Sequence, residues 1–419
     1  MLRLLVCQWW RLWQCSRSRS ASSAARGLRQ LYRIGRCGKG WATRGAKTSA
    51  EVEGRVCFAK TAAKTVASKM VPYWILFAWP ALAAIVQSRP NFARVPRLTA
   101  AAAVGALALA IFIGLRHNVG ADWNRYLYHY SVAGYTDLGD LLTGRDPGYA
   151  FLNWISNQLG WGIHGVNLIC GIIFAAGLVA FCRAQPFPWL AMVIAVPYLV
   201  VVVAMGYSRQ GIALGLVMFA LTYVPEGRGV RAIILIVAAA LFHRSAAIVL
   251  PFIILATLRG RAGIVIALGG LFALLFFSSE DEIDRIQSLY LDRGLESDGA
   301  LIRVIMNVIP ASLFLILQRR LPFRPRELKL WWWISIGSFA TLIAWWALPS
   351  STLVDRIALY MLPIQIAVLS RMPLLVKQHT LGVVAIVLYS MAILFVWLNF
   401  SAYAEYWVPY TFYPLVEQV

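Results

Sequence analysis

Acidic residues are scarce in this chain: 18 Asp and Glu stand against 39 Lys and Arg in 419 residues, and charged types make up only 14% of it. So little charge cannot coat a soluble domain of this length, and that class is excluded. Metal-ligand patterns are missing too. Cys7, Cys15, Cys37 and Cys57 are scattered near the N-terminus, while Cys170 and Cys182 share one apolar run. Neither a C-x-x-C pair nor a zinc-ligand spacing occurs, so no disulfide framework and no metal site are expected. No internal repeat of fixed period is evident. A clean signal-peptide core is absent as well, because the apolar start MLRLLVCQWWRLWQC is broken by Arg3 and Arg11 and no small-residue cleavage site follows.

What the chain has in abundance is apolar sequence, with 60% hydrophobic residues, 17 Trp and a mean hydropathy of +0.67. These values define an all-α, polytopic integral membrane protein with about 10–12 transmembrane or half-spanning helices. The runs placed in the membrane are 71–87, 98–115, 161–182, 187–205, 210–224 and 231–242, then 245–258, 262–278, 301–318, 330–348, 357–370 and 380–399. Several fall short of the ~20 residues of a straight span, so half-helices and re-entrant segments are expected among them. Trp and Tyr gather at run ends, as in Trp161, Trp189, Trp345, Trp346 and Trp407, where interfacial belts form.

The net charge of +21 is uneven. Residues 1–69 hold 15 Lys and Arg against Glu51 and Glu53, a net of +13. The remaining cations lie in short loops between apolar runs, which is the pattern of membrane topology and not of nucleic-acid binding. Two regions follow: a basic, low-complexity extension at 1–69 and a transmembrane domain at 70–419. The extension reads as disordered or as a start assigned too far upstream, since Met70 opens a good first span. If spans alternate, Arg89/Arg94/Arg97, Arg183, Arg228/Arg231, Arg259/Arg261, the 319–329 cluster and Arg371/Lys377 share the cytoplasmic side. The C-terminus is then outside, provided that 231–258 turns back near His243.

Against this apolar background one segment stands out. Residues 115–153, LRHNVGADWNRYLYHYSVAGYTDLGDLLTGRDPGYAFLN, carry Arg116, Arg125 and Arg145, Asp122, Asp137, Asp140 and Asp146, and His117 and His129. Charges beside hydrocarbon are costly, so such a concentration marks a polar cavity or the loop adjoining it. Three shorter polar sequences fall on the same side of the alternation: GYSRQGIA at 206–213, LFHRSAA at 241–247 and STLVDRIALY at 351–360. Each places an arginine near a span end. Singly, each arginine reads better as a headgroup anchor or the partner of a nearby Asp. Converging from different helices, their planar forks suit phosphate oxygens.

Together these sequences resemble the EpsG family of polytopic proteins, relatives of the Wzy-type polysaccharide polymerases. The matching pieces are R-x-x-x-G-x-D-x-x-x-Y at Arg116, Gly120, Asp122 and Tyr126, the acidic-Pro-Gly-Tyr element at Asp146 to Tyr149, and S-R-Q-G-I-A at Ser208 to Ala213. F-H-x-S-A at Phe242 to Ala246 and D-R-x-x-x-Y at Asp355 to Tyr360 complete the set. The family's acidic-Pro element more often has Glu, and Asp146 is one methylene shorter. The resemblance runs from Met70 to the C-terminus and excludes 1–69.

The resemblance implies a glycosyltransferase-type polymerase of exopolysaccharide, O-antigen or capsule, working at the outer face of the bacterial inner membrane on polyprenyl-pyrophosphate-linked oligosaccharide units. Asp122, Asp146 and His243 are the candidate catalytic residues; Arg116, Tyr126, Arg209, Arg244 and Arg356 are the candidate substrate contacts. A lone His at a helix break also reads as a turn-holding hydrogen-bond donor, and Asp122 with Arg125 as a local ion pair. No cofactor and no metal are expected. The partners implied are the lipid-linked substrate, membrane lipids and other polysaccharide assembly and export proteins. A transporter or flippase for a lipid-linked or anionic sugar is the alternative, but the inverted repeats with paired broken helices it would use are not found. A non-catalytic subunit of an assembly complex is the third reading.

Overall fold

The computed structural model describes residues 70–87, 89–92, 99–258, 263, 265, 299–348 and 351–416. The extension 1–69 and nearly all of the 262–278 run lie outside them. The helices are α1 (Met70–Val86), α2 (Ala100–Gly114), α3 (Trp123–Tyr135), α4 (Leu138–Thr143), α5 (Pro147–Gln158), α6 (Gly162–Arg183) and α7 (Pro188–Ala204). There follow α8 (Ser208–Tyr223), α9 (Gly229–Phe242), α10 (Leu250–Thr257), α11 (Ala300–Leu317), α12 (Pro325–Ala347), α13 (Ser351–Ala358), α14 (Pro363–Leu369) and α15 (His379–Phe400). Among the described residues the only bridge between extended segments joins Arg116 to Phe412. The expected all-α architecture is the observed one.

Most helix ends fall within a few residues of the apolar runs because the runs are closed by groups that prefer water or cap a helix; the expected 357–370 run is instead split, with α13 beginning at Ser351 and α14 at Pro363. Among the described residues only α6, α11, α12 and α15 are both apolar and 18 residues or longer. The segments 351–361 and 363–375 meet the same test only as a pair, bent by 42° at the break, which is the geometry of a broken span or a re-entrant loop. The helices Met70–Val86, Ala100–Gly114, Pro188–Ala204, Gly229–Phe242 and Arg244–Thr257 are apolar but shorter. The last two form a hairpin: the chain leaves helical geometry at His243, and Gly229 at the start of α9 lies against Thr257 at the end of α10. The turn back that charge alternation demanded is therefore present.

Polarity is inverted across several helices, as lipid requires. On α11 the apolar Ile302, Ile305, Ile309 and Ile316 face outward, while Arg303, Asn307, Ala311 and Phe314 are buried. At the centre lies α6, packed between α2 and α8. The second half of α7 widens into a π-helix over Val196–Ala204 that is buried throughout.

Close approach of α6 and α8 depends on missing side chains. A Cβ on Gly215 would sit 2.5 Å from Phe174 Cα, and one on Gly177 would strike the Gly215 carbonyl. Small residues facing one another in this way let bilayer helices pack backbone to backbone. Gly177→Ala is expected to cost about 1–3 kcal/mol by overpacking, read as a lower unfolding temperature and a smaller monodisperse fraction in detergent.

The two ends of the bundle differ in kind. At one end Arg371 donates to Gln185 Oε1 at 2.5 Å, to Glu327 Oε1 at 2.6 Å and to the Pro322 carbonyl at 3.3 Å. Two of the basic loops predicted to be cytoplasmic meet there, with Arg326 of the 319–329 cluster against Gly227 beside Arg228. At the opposite end the tail after α15 crosses over the bundle. Gly120 N donates to the Tyr406 carbonyl at 2.8 Å, His117 N to Thr411 at 2.9 Å and Tyr413 N to Leu115 at 2.8 Å. Trp407 is buried and donates to the Val201 carbonyl at 2.6 Å.

Candidate functional site

The tail end of the bundle gathers the four polar sequences. Asp122 and Asp146 stand at the N-caps of α3 and α5, where an aspartate ordinarily accepts from the first free backbone N–H groups. Neither side chain does so. Both carboxylates are instead available to the space between helices.

Asp146 is held at φ 52° and ψ 57°, in the left-handed region that Asp tolerates better than most residues. This places its side chain, 4% exposed as a residue, against α8 and the His243 turn. Arg209 Nη1 donates to Asp146 Oδ2 at 3.0 Å, and the Arg244 backbone N–H donates to Oδ1 at 3.3 Å. Burial raises the Asp146 pKa above the ordinary carboxylate value, while Arg209 and the Arg244 N–H pull it down. Arg209 uses only Nη1 on Asp146, and its fork lies 6.0 Å from the Tyr126 ring centre and 5.9 Å from that of Tyr149. Aromatic rings this close to a cation favour it electrostatically.

Asp122 is half-buried. Its carboxylate makes no hydrogen bond or ion pair among the described residues, so the local pair with Arg125 is not formed as a contact. Burial raises its pKa, against the pull of Arg125, Arg209 and Arg356, all within electrostatic reach. An unpaired carboxylate held back from water and ringed by arginines is suited to accept a proton.

His243 is extended at φ −157° and ψ 115° and accepts from Ser245 N through Nδ1 at 3.5 Å, so it holds the turn as an acceptor and not as the donor expected. Burial pushes its pKa down to about 3, with Arg209, Arg356 and Arg145 adding to the effect. His129, lowered to about 4 by burial and by Arg209 and Arg125, stands beside it in kind. Both rings are therefore neutral at pH 7 and weak as bases. Arg356, near the end of α13, acts on Asp122, His243 and Tyr360 together. Arg244 is exposed at the same end, its backbone tied to Asp146.

Arg116 is the exception among the expected substrate contacts. It is 1% exposed and buried behind the site. Its guanidinium donates to the Ile113 carbonyl at 2.5 Å, the Val119 carbonyl at 3.3 Å, Ser208 Oγ at 2.7 Å and Asn167 Oδ1 at 3.4 Å. The substrate role read for it from the motif gives way to a structural one: it ties the loop before α3 to α6 and α8. The glycine four residues on has the same logic. Gly120 adopts φ 106°, and a Cβ there would lie 2.8 Å from the Met205 carbonyl oxygen. Arg116→Ala leaves several buried acceptors unmatched and is expected to cost on the order of 3 kcal/mol or more. The loss should appear as lower recovery of folded protein and a lower unfolding temperature, and Arg116→Lys should recover only part of it.

Tyr126 is buried too, with its ring 5.8 Å from that of Tyr149. It serves as a wall of the arginine and not as an open sugar platform. Sequence reading missed Tyr149 and Tyr360 as site residues: both are buried, and among the described residues their hydroxyls have no hydrogen-bond partner. Each closes a motif already recognised, and that was the signal available. Among the described residues, no three His, Cys, Asp or Glu side chains gather as metal ligands.

A helical membrane protein with a polar, carboxylate- and arginine-lined site at one end of its bundle is the class that fold and site define. Within that class the chain belongs to the EpsG family, whose model matches residues 102–412. The family is polysaccharide polymerase-like and belongs to exopolysaccharide biosynthesis. No curated protein and no solved structure matches the chain.

Proposed function

We propose that this protein polymerises polyprenyl-pyrophosphate-linked oligosaccharide units at the outer face of the bacterial inner membrane. The observation that carries the reading is the convergence, from separate helices, of Arg209 and Arg356 with one paired and one unpaired carboxylate. A hydroxyl of the acceptor unit attacks the anomeric carbon of the growing chain. The bond from that carbon to the carrier's pyrophosphate breaks, and the electron pair leaves with the phosphate. Asp122 takes the hydroxyl proton. Arg209 and Arg356 bind the pyrophosphate before and after departure, so their charge is worth most as the leaving oxygen gains its own. Asp146 aims the Arg209 fork, and His243 with the Arg244 N–H fixes the turn that carries Asp146's second contact. Lipid surrounds the bundle, and the basic loops that meet at the opposite end support a cytoplasmic position for that end and an outer one for the C-terminal tail.

The test is reconstitution of the full chain in lipid vesicles with a lipid-linked repeat unit. A ladder of longer glycans, with one free polyprenyl pyrophosphate released per bond, is the expected result. Movement of the unit across the bilayer with no ladder would replace this reading by the transporter.

A further inference from the structure

Arg356 stands on a helix that cannot hold itself. Helix α13 is only eight residues long, far below the ~12–15 needed for an isolated helix to persist in water. It runs into a 3₁₀ turn and a bend toward α14. What fixes it comes from α11. Arg303 donates to Asp355, and its Nη1 donates to Tyr198 Oη on α7 at 3.4 Å. Asn307, one turn further along α11, donates from Nδ2 to the Ala358 carbonyl at 2.7 Å and so caps the far end of α13. Between these polar contacts Val304 packs on Val354 and Ala358.

Arg303 is the lone charge within α11, it is 6% exposed, and Asp355 is 8% exposed. An ion pair buried this deeply seldom repays its desolvation in stability, so its retention calls for another use. Consecutive helical residues point about 100° apart, so Asp355 turned inward to Arg303 directs Arg356 elsewhere. Elsewhere is the site, where Arg356 acts on Asp122, His243 and Tyr360. We infer that Arg303 and Asp355, with Asn307, are positioning residues that orient α13 so that Arg356 faces the ligand's anionic group. The anion being pyrophosphate rests on the function proposed above; the positioning does not.

Two measurements separate these claims. In the first, a nitroxide is attached at Arg356→Cys in the full chain in nanodiscs, with Cys7, Cys15, Cys37 and Cys57 replaced by serine. Asn307→Ala, Arg303→Lys and Asp355→Asn are expected to change the label from a restrained to a mobile spectrum, without loss of the monodisperse protein. Asn307→Ala removes one neutral hydrogen bond and Arg303→Lys keeps the charge, so these two remain informative where Asp355→Asn does not fold. A spectrum unchanged in both overturns the positioning role. In the second, geranylgeranyl pyrophosphate binding is measured with native Arg356. Arg303→Lys and Arg356→Ala should each weaken it about tenfold, and the double variant no more than Arg356→Ala alone, since positioning has no value once the positioned group is gone. Additive losses overturn the inference. A wild-type chain that binds no probe refutes the pyrophosphate reading, and the label still decides the positioning.

Discussion

Arg209→Lys is expected to lower polymer formation by about 100-fold or more, close to Arg209→Ala, at equal levels of folded protein. Lysine keeps the charge and can still reach Asp146, as the single Nη1 contact at 3.0 Å requires. What it loses is the flat guanidinium that lies near the Tyr126 and Tyr149 rings and the parallel donors that grip two oxygens at once. An arginine that merely anchored the helix in headgroups would be replaced by lysine at no cost. Glycan length distribution in reconstituted vesicles reads the difference. Wild-type lengths and yields in both variants would remove Arg209 from the site.

Asp122→Asn is expected to remove activity by about 10²–10⁴-fold, the usual contribution of a general base, with little change in unfolding temperature. The side chain makes no hydrogen bond or ion pair among the described residues, so the isosteric amide disrupts no native contact. The pH dependence carries its own sign. The ionised carboxylate is the active form, and burial has raised its pKa, so activity falls as pH drops through a value above that of an ordinary carboxylate, about 3.9. The acid limb of kcat/KM should vanish in Asp122→Asn. A wild-type limb at the ordinary value, or one that persists in the variant, would move the base elsewhere. His243 cannot take over at neutral pH with comparable strength, since burial and three arginines hold its pKa near 3.

Asp146 separates two demands that the sequence presented as one. The residue was legible as a candidate because its acidic-Pro-Gly-Tyr element is one of the pieces that carry the family resemblance. Whether it is a base or a brace depends on what stands opposite. The structure puts Arg209 and a backbone N–H there, and a carboxylate with both oxygens engaged is the poorer proton acceptor of the two.

The sequence by itself determined the helices. Apolar runs bounded by charged, Pro and Gly residues must close their backbone hydrogen bonds locally in lipid, so the helix positions, the break at His243 and the grouping of polar segments were all readable from residue order. Only the tertiary structure decided which arginines face the site. Arg116 and Arg209 look alike in sequence, each beside a glycine-bearing motif at a helix end. One meets Ile113, Val119, Asn167 and Ser208 and is spent on the scaffold; the other meets one carboxylate oxygen and two aromatic faces. Those partners lie up to 92 residues away from Arg116, and the carboxylate that meets Arg209 lies 63 residues from it. The direction of a charged side chain is set by the nearest compensating groups in space, which residue order along one helix does not encode.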